Sequence, residues 1–305
     1  MPRRLPNLYQ LPAVRRDDGK RPGLPVESTE LLQKILDGYL AQLSDADLCE
    51  ANILELCMSI RGADECNDPD DPLWEALCAR LGLTERFDEA PTWRETFLGM
   101  CKEIAQLTPE QKEVLWEDVP VVEAEGFDYR FFPQDWREDS EEEVKTYRHA
   151  VIGFWIDCVR RDLRYTMAHL LNKFPLLVNA HEWIFVMECW EDQWGYGGDS
   201  ALIIATEKGD LKMVKFLLEH DADVDQVNVE GWTALMHAVD AREVEIVRAL
   251  ADFGADPLVD GEDTGAFSAG ETAIDMIASR RKDGEGTRWE DAAIATILGE
   301  ALLNR

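Results

Sequence analysis

The clearest pattern of apolar and polar positions lies between Trp194 and about Asp260, where the sequence repeats with a period of 33 residues. With Gly198 set over Gly231, residues of the same type recur in both copies. The matched pairs are Ser200/Thr233, Ala201/Ala234, Leu202/Leu235, Ala205/Ala238, Met213/Ile246, Val214/Val247, Leu217/Leu250, Ala222/Ala255 and Asp223/Asp256. In each copy the apolar residues follow helical spacing in two short stretches. The pattern therefore predicts two copies of a unit that contains two helices.

Local chemistry at the start of each copy supports this prediction. Ser200 and Thr233 stand directly before apolar helical residues, where a hydroxyl can accept hydrogen bonds from unpaired helix N–H groups. Gly198 and Gly231 sit where the chain leaves a turn, and we expect them to supply positive φ. One such unit cannot bury its apolar face alone, so the sequence predicts neighbouring units.

Weaker copies flank the two clear ones. Downstream, the segment from Gly270 to Ile274 restarts the pattern 39 residues after Gly231, and its second helix is predicted over Asp291 to Leu303. Upstream, Met167 to Leu171 followed by Val178-Asn179 predicts the second helix and exit turn of an atypical repeat. We therefore predict two clear repeats between two divergent capping repeats, since terminal repeats expose one face to water.

The 33-residue period, the hydroxyl residue that opens the first helix and the Val-x-x-Leu second helix resemble the ankyrin repeat, over about residues 164–305. The resemblance implies an all-α solenoid that binds a protein target on its concave face. The family usually has His directly after the helix-opening Leu, where this chain has Ile203, Met236 and Asp275, so that role is not carried over to His237. Gly209 fits the family's helix-ending Gly, whereas Arg242 replaces it in the next repeat.

In ankyrin proteins the concave face is built from the turn tips and the exposed side of the inner helices. Mapped onto this sequence, the predicted partner-binding residues are Trp194, Tyr196, Asp199, Glu207, Lys208, Val229, Glu230, Trp232 and Asp240. Exposed aromatic residues there are typical of binding hot spots. An alternative stays open, in which the segment before the repeats or the loop around Gly261 covers them.

A second pattern of amphipathic helices runs from Leu24 to about Phe97. Leu24-Pro25 precedes an apolar helix, Ser44 is a predicted N-cap for a helix through Ile60, and another helix begins near Asp71. The order Leu-Pro, Leu/Ile helix, Leu-Ser-x-x-Asp-Leu-Cys and Asp-x-Leu-Trp-x-x-Leu-Cys resembles an F-box. That resemblance implies docking to the Skp-type linker of a cullin ubiquitin ligase through Leu31, Ile35, Leu48, Leu73 and Trp74. The alternative is that these residues are the core of an ordinary helical domain.

The segment between these patterns carries further helix signals. Thr108-Pro109-Glu110-Gln111 predicts a capped helix, and Ser140 to Glu143 predicts another. An apolar stripe that includes Val151, Trp155 and Cys158 would dock the second of these onto the first repeat. The aromatic stretch from Val119 to Trp136 is expected to bridge two domains, with a peptide-binding site as the alternative. The predicted division is a basic Pro-rich tail (1–23), an F-box-like domain (24–118), a bridging segment (119–163) and ankyrin repeats (164–305).

Composition narrows the classes of partner. The 62 acidic residues against 31 basic ones give a formal net charge of −31, which argues against nucleic acid or an anionic membrane surface. No run of 18 apolar residues is present, so no membrane span is expected. The seven cysteines lack C-x-x-C spacing, and most of them are interpreted as buried free thiols in a reducing compartment, cytoplasmic or nuclear. The basic tail is interpreted as flexible, with a transit peptide as the alternative.

No motif indicates catalysis. Asp221-x-Asp223-x-Asp225 is similar to the start of a calcium loop, but Gln226 replaces its Gly and Trp232 its closing Glu. The five histidines lack metal-ligand spacing, and no nucleotide-binding or hydrolase motif is present. We therefore expect no metal, no cofactor and no catalytic residue. Two hypotheses follow: a substrate receptor of a cullin-type ligase, or a non-catalytic ankyrin scaffold.

Overall fold

The computed structural model describes residues 38, 40–50, 71–87, 90–116, 142–188, 191–228, 230–260, 271–282 and 288–303. The chain is mostly helical and separates into two compact units, residues 1–72 and 73–305. In the described residues, no helix has both the length and the apolar character needed to cross a membrane.

The first unit contains helix α1 (Asp45–Glu50). Ser44 caps it as predicted, because its Oγ accepts a hydrogen bond from the N–H of Asp47 at 3.1 Å. Leu48 and Cys49 are buried. The predicted continuation of this helix to Ile60, and the helix around Leu31 and Ile35, lie outside the described residues.

Three helices open the second unit: α2 (Pro72–Arg80), α3 (Trp93–Ile104) and α4 (Pro109–Trp116). The predicted cap of α4 is confirmed, since Thr108 Oγ1 accepts from the Gln111 N–H at 3.2 Å and Gln111 Oε1 accepts from the Thr108 N–H at 3.1 Å. Trp74 and Phe97 pack with ring centroids 5.7 Å apart and form the centre of this core.

The remaining helices follow one another as inner and outer partners. The inner row is α5 (Glu142–Arg161), α7 (Ala201–Glu207), α9 (Ala234–Ala241) and α11 (Ala273–Lys282). The outer row is α6 (Arg164–Lys173), α8 (Leu211–Glu219), α10 (Val244–Asp252) and α12 (Trp289–Leu303). Each inner helix packs against the next one, and α8, α10 and α12 pack in succession behind them. The predicted caps at Ser200 and Thr233 accept the expected backbone N–H, and Thr272 caps α11 in the same way.

The same turn joins the inner and outer helix in three of these pairs. Asp162, Gly209 and Arg242 adopt positive φ of 58°, 66° and 62°. The N–H of the following residue then donates to a carbonyl five residues earlier, at 2.9 to 3.0 Å in each case (Leu163 to Cys158, Asp210 to Ala205, Glu243 to Ala238). Helix α5 is therefore built like the inner helices of the later pairs. The predicted division at residue 164 puts α5 in the bridging segment and its partner α6 in the ankyrin repeats.

The structure confirms a mostly helical fold, to which the described residues add one β-hairpin. Strand β1 (His181–Glu188) and strand β2 (Glu191–Ser200) pair antiparallel, with Trp183 opposite Tyr196 and Phe185 opposite Trp194. Strand β1 packs on α5 and strand β2 on α7. In the equivalent turn before α9, the described residues form the isolated bridge Val227–Thr233. The β-branched and aromatic run Trp183-Ile184-Phe185-Val186 favours the extended conformation and explains the strand.

A side-chain oxygen from one turn between repeats accepts a backbone hydrogen bond from the following turn. Asn179 Oδ1 accepts the N–H of Asp223 at 2.8 Å, and Asp225 Oδ1 accepts the N–H of Asp256 at 2.8 Å. Asp223 and Asp256 are equivalent positions of the 33-residue period, so the same bond recurs between successive repeats. Asp223 and Asp225, singled out above for their calcium-loop spacing, thus have a structural role. Gly231 has the predicted positive φ of 78°, whereas Gly198 lies within β2.

Candidate protein-binding face

The candidate site is a surface that we call the inner face: Asp199, Glu207, Lys208, Glu230, Trp232 and Asp240, on α7, α9 and the turns before them. Glu207, Lys208, Glu230 and Asp240 are exposed, and Asp199 and Trp232 are half-buried. The face thus combines one large aromatic ring with several carboxylates.

Trp232 stands one residue before the N-cap of α9 and packs on a histidine of that helix. Its ring centroid is 5.0 Å from that of His237. On the far side of His237, Nδ1 lies 3.4 Å from Oε1 of Glu207, whose side chain is 46% exposed. Among the described residues, His237 Nε2 is buried without a hydrogen-bond partner. Trp232, His237 and Glu207 therefore form one continuous patch across two inner helices.

A buried asparagine sets the position of Trp232. Asn228 Oδ1 accepts the N–H groups of Glu230 and Trp232, both at 3.0 Å. Asn228 Nδ2 donates to Asp199 Oδ1 at 2.7 Å and ties this turn to the preceding one. Sequence reasoning missed Asn228, although Asn between two periodic helices is a turn signal. It also assigned Asp199 to a partner, while the structure shows its carboxylate bonded to Asn228.

The two basic residues near the face are engaged with backbone carbonyls. Lys208 Nζ donates to the carbonyls of Val159 and Arg160, at 3.2 and 2.9 Å, at the end of α5. Arg280 donates to the carbonyls of Val239 and Asp240, at 2.7 and 3.0 Å, at the end of α9. Each cation thus neutralises the negative end of the preceding inner helix. Lys208 was predicted as a contact for a partner, but its ammonium group serves this internal role.

A cluster of charged side chains lies at the C-terminal end of α9. Arg280 also pairs with the 62% exposed Asp240 at 2.7 Å, so the predicted contact Asp240 lies in an ion pair. Arg242 Nε lies 3.1 Å from Oδ1 of Asp291, a side chain that is 1% exposed, and Arg280 lies 3.5 Å from the same oxygen. The second oxygen, Oδ2, is buried without a hydrogen-bond partner among the described residues. These pairs fasten α11 and α12 to α9.

Comparison with known proteins agrees with this architecture. A family model for ankyrin repeats, in three copies, matches residues 169–260. These residues are ankyrin repeats. The repeat predicted from the sequence is thereby confirmed, while the count of two clear and two divergent repeats stays a prediction. Ankyrin repeats generally serve as protein–protein interaction modules without catalytic groups.

Individual relatives match over short stretches. The mouse 2-5A-dependent ribonuclease is 48% identical over 60 residues, which are 19% of this chain and 8% of that protein. Mouse ankyrin repeat and SAM domain-containing protein 6 is 38% identical over 81 residues, 26% of this chain and 8% of that protein. The chain thus spans less than a tenth of the length of these relatives. A solved ankyrin repeat domain from Acinetobacter baumannii is 18% identical with a TM-score of 0.34, covering 76% of this chain and 93% of that one.

Three of the predicted contacts do not belong to the described helices or short turns of the inner face. Trp194 and Tyr196 lie in strand β2, because the turn before α7 is a long hairpin rather than a short tip. The 33-residue alignment treated that turn as equivalent to the one before α9, so it did not reveal the hairpin, and the partner-binding role of Trp194 and Tyr196 stays a prediction. Val229 lies outside the described residues.

The F-box-like residues do not form an exposed apolar patch where they are described. Leu48 is buried in the first unit; in the second unit, Trp74 is buried against Phe97 and Leu73 is half-buried. Leu31 and Ile35 lie outside the described residues.

Three buried titratable groups outside the inner face, Cys78, Cys158 and His181, belong to the core. Burial raises the pKa of the Cys78 thiol to about 12 and also raises that of Cys158, so neither forms the reactive thiolate at neutral pH. Burial lowers the pKa of His181, against an opposing hydrogen bond from its Nδ1 to the Gly198 carbonyl oxygen, 2.9 Å away. These groups act as core residues, as predicted for the cysteines among them.

Proposed function

We propose that this chain is a non-catalytic adaptor that captures a protein target on the inner face of its ankyrin repeats. The observation that carries the proposal is Trp232, a half-buried indole held in place by the buried Asn228 and bordered by exposed carboxylates. Aromatic side chains that are fixed before binding give large contact area at low entropic cost, and they dominate the energetics of many interfaces.

The test compares two tryptophans in the full chain. Trp232→Ala removes the proposed anchor, and Trp289→Ala removes an indole that is 70% exposed on α12, away from the inner face. We expect proteins captured by the wild type to be lost with Trp232→Ala, because loss of a hot-spot residue costs roughly 2 kcal/mol or more. Trp289→Ala is expected to retain them. Quantitative mass spectrometry of affinity-purified material reads the outcome, and matched melting temperatures show that both variants fold.

Equal capture by wild type and Trp232→Ala would contradict the proposal. The same purification also addresses the second hypothesis from the sequence, a receptor that docks to a Skp-type linker and cullin. No described residue favours that role, since Leu48 and Trp74 are buried. Recovery of such a linker, lost when Leu31 is changed, would restore the receptor hypothesis.

A further inference from the structure

Most of the exposed charged side chains of the inner face are acidic. Glu207 and Glu230 extend their carboxylates from an exposed position, and Asp240 is 62% exposed. The cations that lie nearest, Lys208 and Arg280, donate to carbonyl oxygens at the ends of α5 and α9. Glu207 and Glu230 therefore present negative charge to an approaching molecule, whereas Lys208 is hydrogen-bonded to carbonyls of α5 and Asp240 is paired with Arg280.

An aromatic ring lies within the same surface. Trp232 is half-buried and rests on His237, which in turn approaches Glu207. A half-buried indole on a surface that also carries exposed carboxylates suits a guanidinium or ammonium group, because the ring quadrupole and the carboxylates attract the same cation. An acidic or purely aliphatic segment would gain nothing from the carboxylates and would remove them from water without compensation.

Long-range electrostatics favour the same class of partner. The chain carries a formal net charge of −31, so it attracts basic molecules over distances comparable to the screening length and repels acidic ones. Lys208 and Arg280 keep their positive charge beside this face, but their hydrogen bonds to backbone carbonyls hold them in place, and the exposed Glu207 and Glu230 add to the negative field. The local and the global charge distributions agree.

We propose that the inner face recognises a basic segment of its protein partner, in which an arginine or lysine side chain lies on Trp232 and pairs with Glu207 or Glu230. This inference rests on the proposed function, because it specifies the chemistry of the target that the inner face captures. Arginine fits better than lysine, since its planar guanidinium stacks on an indole and still donates to carboxylates.

The experiment measures fluorescence anisotropy of a labelled (Arg-Ser)6 peptide with the full chain at 0.15 M salt. The test variant is Glu207→Gln/Glu230→Gln, and the control is Glu219→Gln/Glu245→Gln, which neutralises two exposed glutamates of the outer helices α8 and α10. Both variants lose the same net charge, so they differ only in the face that they alter. We expect the test variant to bind the peptide about fivefold more weakly and the control to stay within about twofold, as exposed ion pairs contribute modestly each.

Three outcomes would overturn the inference: no binding of (Arg-Ser)6, equal loss in both variants, or comparable binding of (Glu-Ser)6. If the double variant does not fold, the single change Glu230→Gln against Glu245→Gln gives the same comparison. The proposed function is judged separately. A captured target that depends on Trp232 but is insensitive to Glu207→Gln/Glu230→Gln would refute a basic segment and leave the adaptor role intact.

Discussion

Arg242 holds a left-handed backbone conformation, φ 62°, at the position where the preceding repeat has Gly209. A side chain in this conformation costs roughly 1 kcal/mol or more relative to glycine. The guanidinium offsets that cost, because it is the closest cation to the buried carboxylate of Asp291, at 3.1 Å. A backbone position suited to glycine thus carries an arginine, whose guanidinium forms an ion pair with the neighbouring repeat.

Replacing Arg242 with glycine is therefore expected to destabilise the protein, although it relieves the backbone. The change removes the nearer of the two described cations beside the buried Asp291 carboxylate and leaves Arg280 at 3.5 Å. Weakening a buried ion pair costs more than the strain that glycine relieves, so we expect a net loss of about 1 kcal/mol in the free energy of unfolding. Urea denaturation of Arg242→Gly, Asp291→Asn and the double variant measures the coupling. The double variant is expected to lose less than the sum of the single changes. Strict additivity would show that the pair makes no contribution.

The helix caps and the Arg242 pair differ in how far the sequence reveals them. Thr108, Ser200 and Thr233 were predicted as caps because their partners lie within three residues, where local chemistry decides the structure. Asp291 is 49 residues from Arg242, and its pairing depends on how the last two helices pack. The sequence shows that Arg242 replaces the glycine of the preceding repeat, but it does not show that this arginine pairs with Asp291.

At the scale of elements, one buried carboxylate joins α3 to α6. Glu103 accepts hydrogen bonds from the N–H and Oγ1 of Thr166, both at 2.8 Å, and from the N–H of Tyr165 at 3.3 Å. It thereby satisfies the first N–H groups of α6, which lacks a side-chain cap of its own. Burial is the dominant influence and raises the pKa of Glu103 to about 7, against these hydrogen bonds.

This pKa predicts a pH dependence of stability. The folded-state pKa lies above the ordinary value of 4.5, so the folded protein binds this proton more tightly than the unfolded chain. The resulting stabilisation is complete below the ordinary value and disappears as the pH rises through about 7. Relative to Glu103→Gln, the wild type is expected to lose about 2 kcal/mol of unfolding free energy between pH 5.5 and 8.

Chemical denaturation across that pH range tests the prediction. Glu113→Gln, which changes an exposed glutamate on α4, is the control and is expected to follow the wild type. Subtracting the curves removes the general effect of net charge. A constant difference between wild type and Glu103→Gln would show that Glu103 titrates outside this range.

The helices were more predictable than the hairpin. Each helix of the repeats has an apolar stripe and a start signal, so Ala273–Lys282 and Trp289–Leu303 lie close to their predicted positions. Aligning Trp194 with Val227 assumed that the turn before α7 is as short as the turn before α9. The β-branched and aromatic run from Trp183 to Val186 lies upstream of the aligned segment, where the repeat gives no information.

At the scale of the whole molecule, the net charge of −31 is the dominant property. Like charges repel in the compact state, and salt screens exposed charges with a length of about 10 Å at 0.1 M. The described ion pairs on the surface, such as Arg248 with Glu300, oppose this effect weakly because both side chains are more than half exposed.

Moderate salt is therefore expected to stabilise the protein. Raising sodium chloride from about 0.02 to 0.3 M should increase the melting temperature by roughly 2–4 °C, which corresponds to about 1 kcal/mol at this chain length. The variant Glu219→Gln/Glu245→Gln, with a smaller net charge, should start higher at low salt and respond less. A melting temperature that falls with salt would mean that attractive pairs outweigh the repulsion.

The bonds from Asn179 to Asp223 and from Asp225 to Asp256 have a consequence for how this array can grow or shrink. Their N–H donors are one period of 33 residues apart, so excising residues 201–233 would bring Asp256 to the place that Asp223 now holds opposite Asn179. Excision of any other length would leave Asn179 opposite a residue from a different part of the unit. Recombination that duplicates or deletes whole repeats is thus compatible with this chain of bonds, whereas insertions within a unit must be accommodated in a loop.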